Sequence, residues 1–160
     1  MTEISTLTKR HLQAQVIRPI YEEMEHVLGA EKAQQILADA IRKAALAEAR
    51  EFAERAPGKR PDMASFIALF DLWTHDGGIE VENVEKGEDR YDFDVTRCRF
   101  VEMYRDMGLG HIGHLLSCHR DGTFCEGYNP AISLEREKTI MQGDDRCTFR
   151  YRYKAPEEAS

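Results

Sequence analysis

The first 97 residues of this 160-residue chain contain no cysteine, and the four cysteines that follow have no CxxC spacing. No apolar run approaches the ~20 residues that a membrane-spanning helix needs, so we expect no membrane partner. The N-terminal stretch lacks the apolar segment of a signal peptide, which favours the cytoplasm and reduced thiols. Basic residues are outnumbered by acidic ones, 22 against 29, and the resulting charge of -7 argues against nucleic acid as a partner.

Hydrophobic periodicity divides the chain into a helical first part and a mixed second part. Apolar residues recur every three or four positions as far as Trp73, which predicts amphipathic helices, with Pro19 starting or kinking the first. From Ile79 the period changes to two, which predicts strands joined by a hairpin at residues 85–89. The predicted class is α+β, with N-terminal amphipathic helices packed on an antiparallel sheet with inserted helices. We expect one domain over residues 1–154 and a frayed tail at 155–160, and the long helices could form a homodimer.

The last third contains two further predicted strands around a segment that is hard to assign. Residues 117–130 are polar with two glycines, and no periodicity decides their structure. One predicted strand face carries Ile132, Leu134, Arg136, Lys138 and Ile140. The other carries Cys147, Phe149, Tyr151 and Tyr153.

Cys118 lies in the sequence Ser-Cys-His-Arg-Asp, so a thiol, an imidazole, a guanidinium and a carboxylate are close along the chain. A nearby cation lowers a thiol pKa, and a thiolate beside a base attacks carbonyl or amidine carbon. This predicts a nucleophilic Cys118 with His119 or Asp121 as its partner, titrating at ~6–7.5. The alternative is a polar surface loop with an incidental cysteine.

The other cysteines allow several interpretations. Cys98 is expected at a helix N-terminus, which favours a thiolate, although a small apolar residue also suits that junction. Cys147 shares a predicted strand face with aromatic residues, which predicts a buried thiol in the hydrophobic core. No cofactor is required by the sequence, yet zinc or another divalent metal is an alternative because cysteines and histidines are concentrated in this half.

Three polar residues are candidates for substrate binding. Glu126 and Asn129 surround a glycine in a predicted turn, which can present polar groups to a ligand or simply form the turn. Arg136 shares a strand face with apolar residues, so it needs an acidic partner in the protein or a substrate carboxylate.

Several of these segments resemble the L-2-amino-thiazoline-4-carboxylic acid hydrolase family. The resemblance covers about residues 73–152. Its segments are Trp73 before a glycine turn, residues 95–104 (VTRCRFVEMY), 108–109 (GL), 116–118 (LSC) with Asp121, 126–130 (EGYNP), 139–140 (TI), 143–144 (GD) and 147–151 (CTFRY).

The family's named activity opens a 2-amino-thiazoline ring by adding water at the carbon between sulfur and nitrogen. The resemblance therefore implies a hydrolase of C–N or C–S bonds in a small heterocycle such as a 2-aminothiazoline carboxylate or a thiohydantoin. Cys98, Cys118 and Cys147 fall at the family's cysteine positions, whereas Cys125 does not.

On this basis we predict Cys118 as the nucleophile and Asp121 as the group that moves protons or orients an imidazole. Cys98 would support the nucleophile from a helix N-terminus, and Arg136 would hold a substrate carboxylate. The rival hypothesis is a cysteine-based metal- or ligand-binding sensory module without catalysis.

Overall fold

Two long helices form the first third of the chain, α1 (Thr6–Leu28) and α2 (Ala30–Glu54). The structure is a computed structural model that describes residues 3–74 and 77–157. Helix α1 begins well before Pro19, because the Ser5 hydroxyl caps it by accepting a hydrogen bond from the Thr8 N–H at 3.1 Å. The expectation that Pro19 starts this helix is therefore wrong. Gly29, at a φ of 83°, separates the two helices.

Two short helices, α3 (Met63–Leu69) and α4 (Asp71–Thr74), follow α2 after a 3₁₀ turn at Pro57–Lys59. Asp62 begins α3 with a capping box, in which its carboxylate accepts from the Ser65 N–H at 2.8 Å. The buried faces of α3 and its C-cap carry Phe66 and Phe70 onto the sheet.

In the part of the chain that the structure describes, four strands form one antiparallel sheet, which confirms the predicted α+β class. The strands are β1 (Ile79–Lys86), β2 (Arg90–Cys98), β3 (Ile132–Glu135) and β4 (Cys147–Tyr153), in the order β1-β2-β4-β3. Helix α5 (Arg99–Asp106), a π-helical turn (His114–Cys118) and α6 (His119–Tyr128) lie between β2 and β3. Strand β3 is shorter than predicted, since a 3₁₀ turn replaces it at Ile140–Gln142.

The inner face of the sheet is aromatic, and the two central strands supply it. Phe93 lies opposite Phe149 and Tyr91 opposite Tyr151 in the β2–β4 register. The Phe93 and Phe149 rings stack with centroids 4.8 Å apart. Because side chains alternate along a strand, the same register points Cys147 inward beside Val95. The predicted shared face of Cys147, Phe149 and Tyr151 is confirmed.

The buried side chains form two clusters, and the boundary between them positions the site. One cluster joins the sheet to α3, α6 and the end of α2, while the other joins α1, α5 and the start of α2. Trp73, Ile79 and Cys98 pack against both clusters. Gly127 of α6 approaches α2 closely enough that a Cβ there would lie 2.7 Å from Ala49 Cβ.

An apolar stripe on α1 is left uncovered. Its members Leu12, Val16, Ile20 and Val27 are each about half or more exposed. The homodimer expected from the amphipathic helices has a suitable face here, and it stays a prediction. Across the described ranges, no helix has the length and apolar character needed to cross a bilayer. Residues 155–157 have no regular structure, and the rest of the predicted tail lies outside the described residues.

Candidate functional site

A small internal cavity of about 90 Å³ lies between the sheet and the helices. Most of its wall is aromatic or aliphatic, from α3, α4, α5, α6 and the inner sheet face. The polar part of the wall holds three thiols and two groups of paired charges. Its lining includes Phe66, Phe70, Trp73, Phe100, Phe124, Phe149, Cys98, Cys118, Cys147, Asp121 and Arg136. This volume is below the roughly 150 Å³ of a cavity that admits benzene, which limits the cavity to small ligands.

Three of the four cysteines meet at this cavity although they come from distant parts of the chain. Cys98 ends β2 and is the N-cap of α5, as predicted. Cys118 ends the π-helical turn, where the His119 N–H donates to the His114 carbonyl five residues back. Cys147 begins β4. Cys125 does not line the cavity, and its thiol instead donates to the Asp121 carbonyl at 3.4 Å.

Burial raises the pKa of the cavity thiols above the ordinary range. The pKa of Cys98 rises to about 11, although the backbone N–H groups of Val101 and Phe100 oppose the shift. Burial, and then the neighbouring Asp121 charge, raises the pKa of Cys118, with Arg136 opposing. Burial also raises the pKa of Cys147. The expectation that Cys118 titrates at a lowered pKa is therefore wrong, because desolvation outweighs the nearby cation.

An ion pair between Asp121 and Arg136 lies beside Cys118. One terminal nitrogen of Arg136 donates to Asp121 Oδ2 at 2.6 Å, and the other donates to the Cys118 carbonyl at 3.0 Å. The Arg136 guanidinium also lies over the Phe149 ring, 5.0 Å from its centroid. Burial raises the pKa of Asp121, although Arg136 opposes this. Cys118 and Asp121 are three residues apart, so they share one helix face.

The other three predicted site residues lie outside the cavity. Glu126 is exposed, and its carboxylate forms an ion pair with the guanidinium of Arg42 in α2 at 2.6 Å. His119 is exposed as well, with its ring 5.3 Å from that of His114. The Asn129 side chain donates to the Pro61 carbonyl and accepts from the Ala131 N–H, so it holds a turn together. These placements argue against His119 as the base and against Asn129 as a substrate ligand, because neither residue lines the cavity.

A second, open depression of about 490 Å³ lies on the outer side of the same wall. Glu126, Arg42 and His119 line it. Cys118 and Arg136 line both this depression and the internal cavity. The depression therefore lies on the solvent side of the predicted nucleophile.

Sequence reasoning missed a charged cluster on the cavity wall. Arg10 of α1 and Arg120 of α6 both reach Glu48 of α2, at 3.2 Å and 3.4 Å. Both arginines are more than nine-tenths buried. The available signal was an arginine at position 10 on the same helix face as the buried Ala14 and Tyr21. A nearby hydrogen bond joins Tyr104 to Ser117, with their oxygens 2.7 Å apart.

The metal alternative finds no support in the residues that the structure describes. Within 3–74 and 77–157, no three His, Cys, Asp or Glu side chains are grouped to hold a metal ion.

Comparison with known proteins gives one family and a shared fold. The sequence model of the L-2-amino-thiazoline-4-carboxylic acid hydrolase family matches residues 9–151. No curated protein matches the chain significantly. Trafficking protein particle complex subunit 3 from Naegleria fowleri, covalently bound to palmitic acid, matches over 92% of this chain and 96% of its own, with 15% identity and a TM-score of 0.50. The phenol-responsive sensory domain of the transcription activator PoxR, solved with phenol, matches over 99% and 79%, with 14% identity and a TM-score of 0.49. At such identities the first likeness shows the fold alone.

Proposed function

The chain belongs to the L-2-amino-thiazoline-4-carboxylic acid hydrolase family, and we propose that it hydrolyses a small cyclic amidine, thioamide or amide at the ring carbon between two heteroatoms. The observation that carries this proposal is the grouping of Cys98, Cys118 and Cys147 with the Asp121–Arg136 pair on one small cavity. Most of the remaining wall is aromatic or aliphatic, and such a surface strengthens charge interactions at a reacting carbon because it lowers the local polarity. Family membership supplies the reaction class.

The raised thiol pKa determines how Cys118 can act. At neutral pH its thiol is protonated, so attack on the ring carbon requires a base that takes the proton. Asp121 lies on the same helix face and lines the same cavity. We assign it as that base, because burial makes its carboxylate more basic than an exposed aspartate.

The proposed steps balance for a 2-aminothiazoline ring. Cys118 Sγ bonds to the exocyclic C=N carbon of the imino form of the ring as its proton passes to Asp121 and the exocyclic nitrogen takes up the electron pair. The ring nitrogen already carries one proton in this form, and it takes the proton from Asp121 as the ring C–N bond breaks, the exocyclic nitrogen re-forms C=N, and the ring nitrogen leaves as an amine. Water then adds to the same carbon, with its oxygen bonding to carbon and one proton passing to the exocyclic nitrogen. The bond to Cys118 breaks as the carbonyl forms, and the other proton returns to the thiol. One water is consumed, and the carbon leaves as an S-carbamoyl group.

The remaining cavity residues have supporting roles in this proposal. The Asp121 carboxylate balances the charge of Arg136, so we assign Arg136 to positioning Asp121 rather than to holding a substrate carboxylate. Cys98 and Cys147 contact the reacting region as small polarisable side chains that are neutral at physiological pH.

Replacement of Cys118 with alanine tests the nucleophile. L-2-Amino-thiazoline-4-carboxylic acid, a thiohydantoin and a hydantoin would each be incubated with the protein and followed by NMR. We expect Cys118→Ala to abolish turnover, while Cys125→Ala keeps it because Cys125 lies off the cavity. Turnover in Cys118→Ala within threefold of the unsubstituted protein would remove the thiol from the mechanism and leave water activated by Asp121.

A ligand-binding module without catalysis is the second candidate, and the thiol chemistry favours it. Thiols kept protonated by burial are weak nucleophiles, and a cavity lined mainly by aromatic and aliphatic side chains with a few polar groups can hold a small ligand without reaction. Saturable binding of such rings with none of them consumed would support this candidate over the hydrolase.

A further inference from the structure

Arg10 and Arg120 both donate hydrogen bonds to the carboxylate of Glu48. Arg10 donates to Glu48 at 3.2 Å and to the Gln13 side chain at 3.0 Å. Arg120 donates to the same Glu48 oxygen at 3.4 Å and to the Leu116 carbonyl at 2.8 Å. The two guanidinium groups come from different helices, and all three charged side chains line the cavity.

The cavity wall therefore has an excess of positive charge. Arg136 and Asp121 balance each other, whereas Arg10 and Arg120 share Glu48. Lys9 also approaches Glu48, at 3.4 Å, but it is half exposed and solvent screens it. A buried charge without a counter-ion is costly, so the surplus favours an anion in the cavity.

The titration of the cluster agrees with this charge surplus. Burial, followed by repulsion from Arg10, lowers the pKa of Arg120 to about 10. The pKa of Glu48 is lowered even though burial opposes that direction, because Arg10, Lys9 and Arg120 together outweigh it. A second anion would relieve the repulsion between the arginines.

We propose that Arg10 and Arg120 form a carboxylate-binding subsite, which selects small monoanionic ring acids over their neutral analogues. This inference rests on the proposed function, since it assigns the residues that recognise a substrate carboxylate in the same cavity. Two guanidinium groups provide several N–H donors to a carboxylate. The Ser117 hydroxyl, which also lines the cavity and bonds to Tyr104, offers a further donor. The aromatic wall then receives the ring.

The test uses two ring compounds of the same size, one anionic and one neutral. Pyrrole-2-carboxylate and pyrrole-2-carboxamide have a five-membered ring and contain no hydrolysable ring carbon of the proposed kind. Calorimetry on the full chain should show the carboxylate binding at least tenfold more tightly than the amide. Arg10→Gln and Arg120→Gln should each reduce that preference at least tenfold, and leave amide affinity within twofold.

Matched variants separate recognition from misfolding. Arg42→Gln removes an arginine that lies outside the cavity and should leave the preference unchanged. Glu48→Gln should strengthen carboxylate binding, because it removes the one carboxylate that the two arginines share, and a folding defect would not produce a gain.

Three results would overturn the subsite: equal affinity for the two compounds, no saturable binding of either, or a preference that survives both arginine variants. The outcome is also distinct from that of the proposed function. A protein that prefers the carboxylate through Arg10 and Arg120 but turns over no ring would retain the subsite and lose the hydrolase.

Discussion

Alkylation of the cysteines tests the electrostatics of the cavity directly. Iodoacetamide reacts with the thiolate, so the rate follows the ionised fraction. At pH 8 a thiol with the ordinary pKa of about 9 is roughly 10% ionised, whereas Cys98 with a pKa of about 11 is about 0.1% ionised. We therefore expect Cys98 to react about 100-fold more slowly than a free cysteine. Cys125, whose pKa is raised by burial to about 12, should be about 1000-fold slower.

Site-resolved mass spectrometry would measure each rate across pH. The protein would be sampled during alkylation from pH 7 to 10, digested, and the four cysteine peptides quantified. The rates of Cys98, Cys118 and Cys125 should still be rising at pH 10, because burial places their folded pKa values above that pH. The same reaction in urea supplies the control, since unfolding removes the burial and should bring all four thiols to the free rate.

One result would refute the reasoning. If Cys118 reacts at or above the free rate with a midpoint near ~6–7.5, a low-pKa thiolate exists and the nearby cations outweigh desolvation. Asp121 would then be unnecessary as a base for Cys118. A midpoint above 9 would instead support a proton transfer within the cavity.

Three further predictions follow from the packing and the charges. Asp121→Asn should lower the free energy of unfolding by about 3 kcal/mol in urea titrations, because it leaves Arg136 buried without its counter-ion; an unchanged midpoint would contradict this. Gly127→Ala should lower the free energy of unfolding by about 1–3 kcal/mol in the same titrations, because its Cβ would lie 2.8 Å from a backbone oxygen of α2. Gly122→Ala is the matched control: it has open space around it and should raise the free energy of unfolding by about 0.5–1 kcal/mol. Stability should fall above pH 9, because the thiols of the unfolded chain ionise first. Cys98 and Cys125 should each contribute about 1.4 kcal/mol per pH unit until their folded pKa values of about 11 and about 12 are reached; a flat profile would contradict the raised thiol pKa values.

Local periodicity was sufficient for the fold class and for most of the sheet. The β1–β2 hairpin and the inward face of β4 follow from alternation alone, and both are confirmed. The segment 117–130 could not be assigned, because two glycines and many polar residues give α6 almost no helical periodicity. Its helix depends instead on tertiary packing, in which Phe124 and Tyr128 contact Phe66. Strand β3 ends at Glu135, and the next residue, Arg136, donates a hydrogen bond to Asp121.

The grouping of the three cysteines was predictable only through the family resemblance. Spacing alone gave no reason for Cys98 and Cys147 to approach Cys118, since the strand register and the π-helical turn bring them together. Neighbours along the sequence were a poor guide to neighbours in space. Arg120 lies two residues after Cys118 in the sequence, but its guanidinium donates hydrogen bonds to Glu48 and to the Leu116 carbonyl. The cation that contacts the Cys118 region is Arg136, eighteen residues away.

The difference between neighbours in sequence and neighbours in space explains why the predicted low pKa of Cys118 was wrong, although Cys118 and Asp121 do line one cavity. A sequence displays the charges beside a thiol but not the depth at which the fold places it. Cys118 lies at the boundary between the inner cavity and the outer depression, where burial dominates and only one cation opposes it. A thiol in that position is inert until a base removes its proton, so reactivity would depend on Asp121 and on what Arg136 does to it. Control of the proposed chemistry therefore belongs to an ion pair between a helix and the end of a strand, which no local sequence motif encodes.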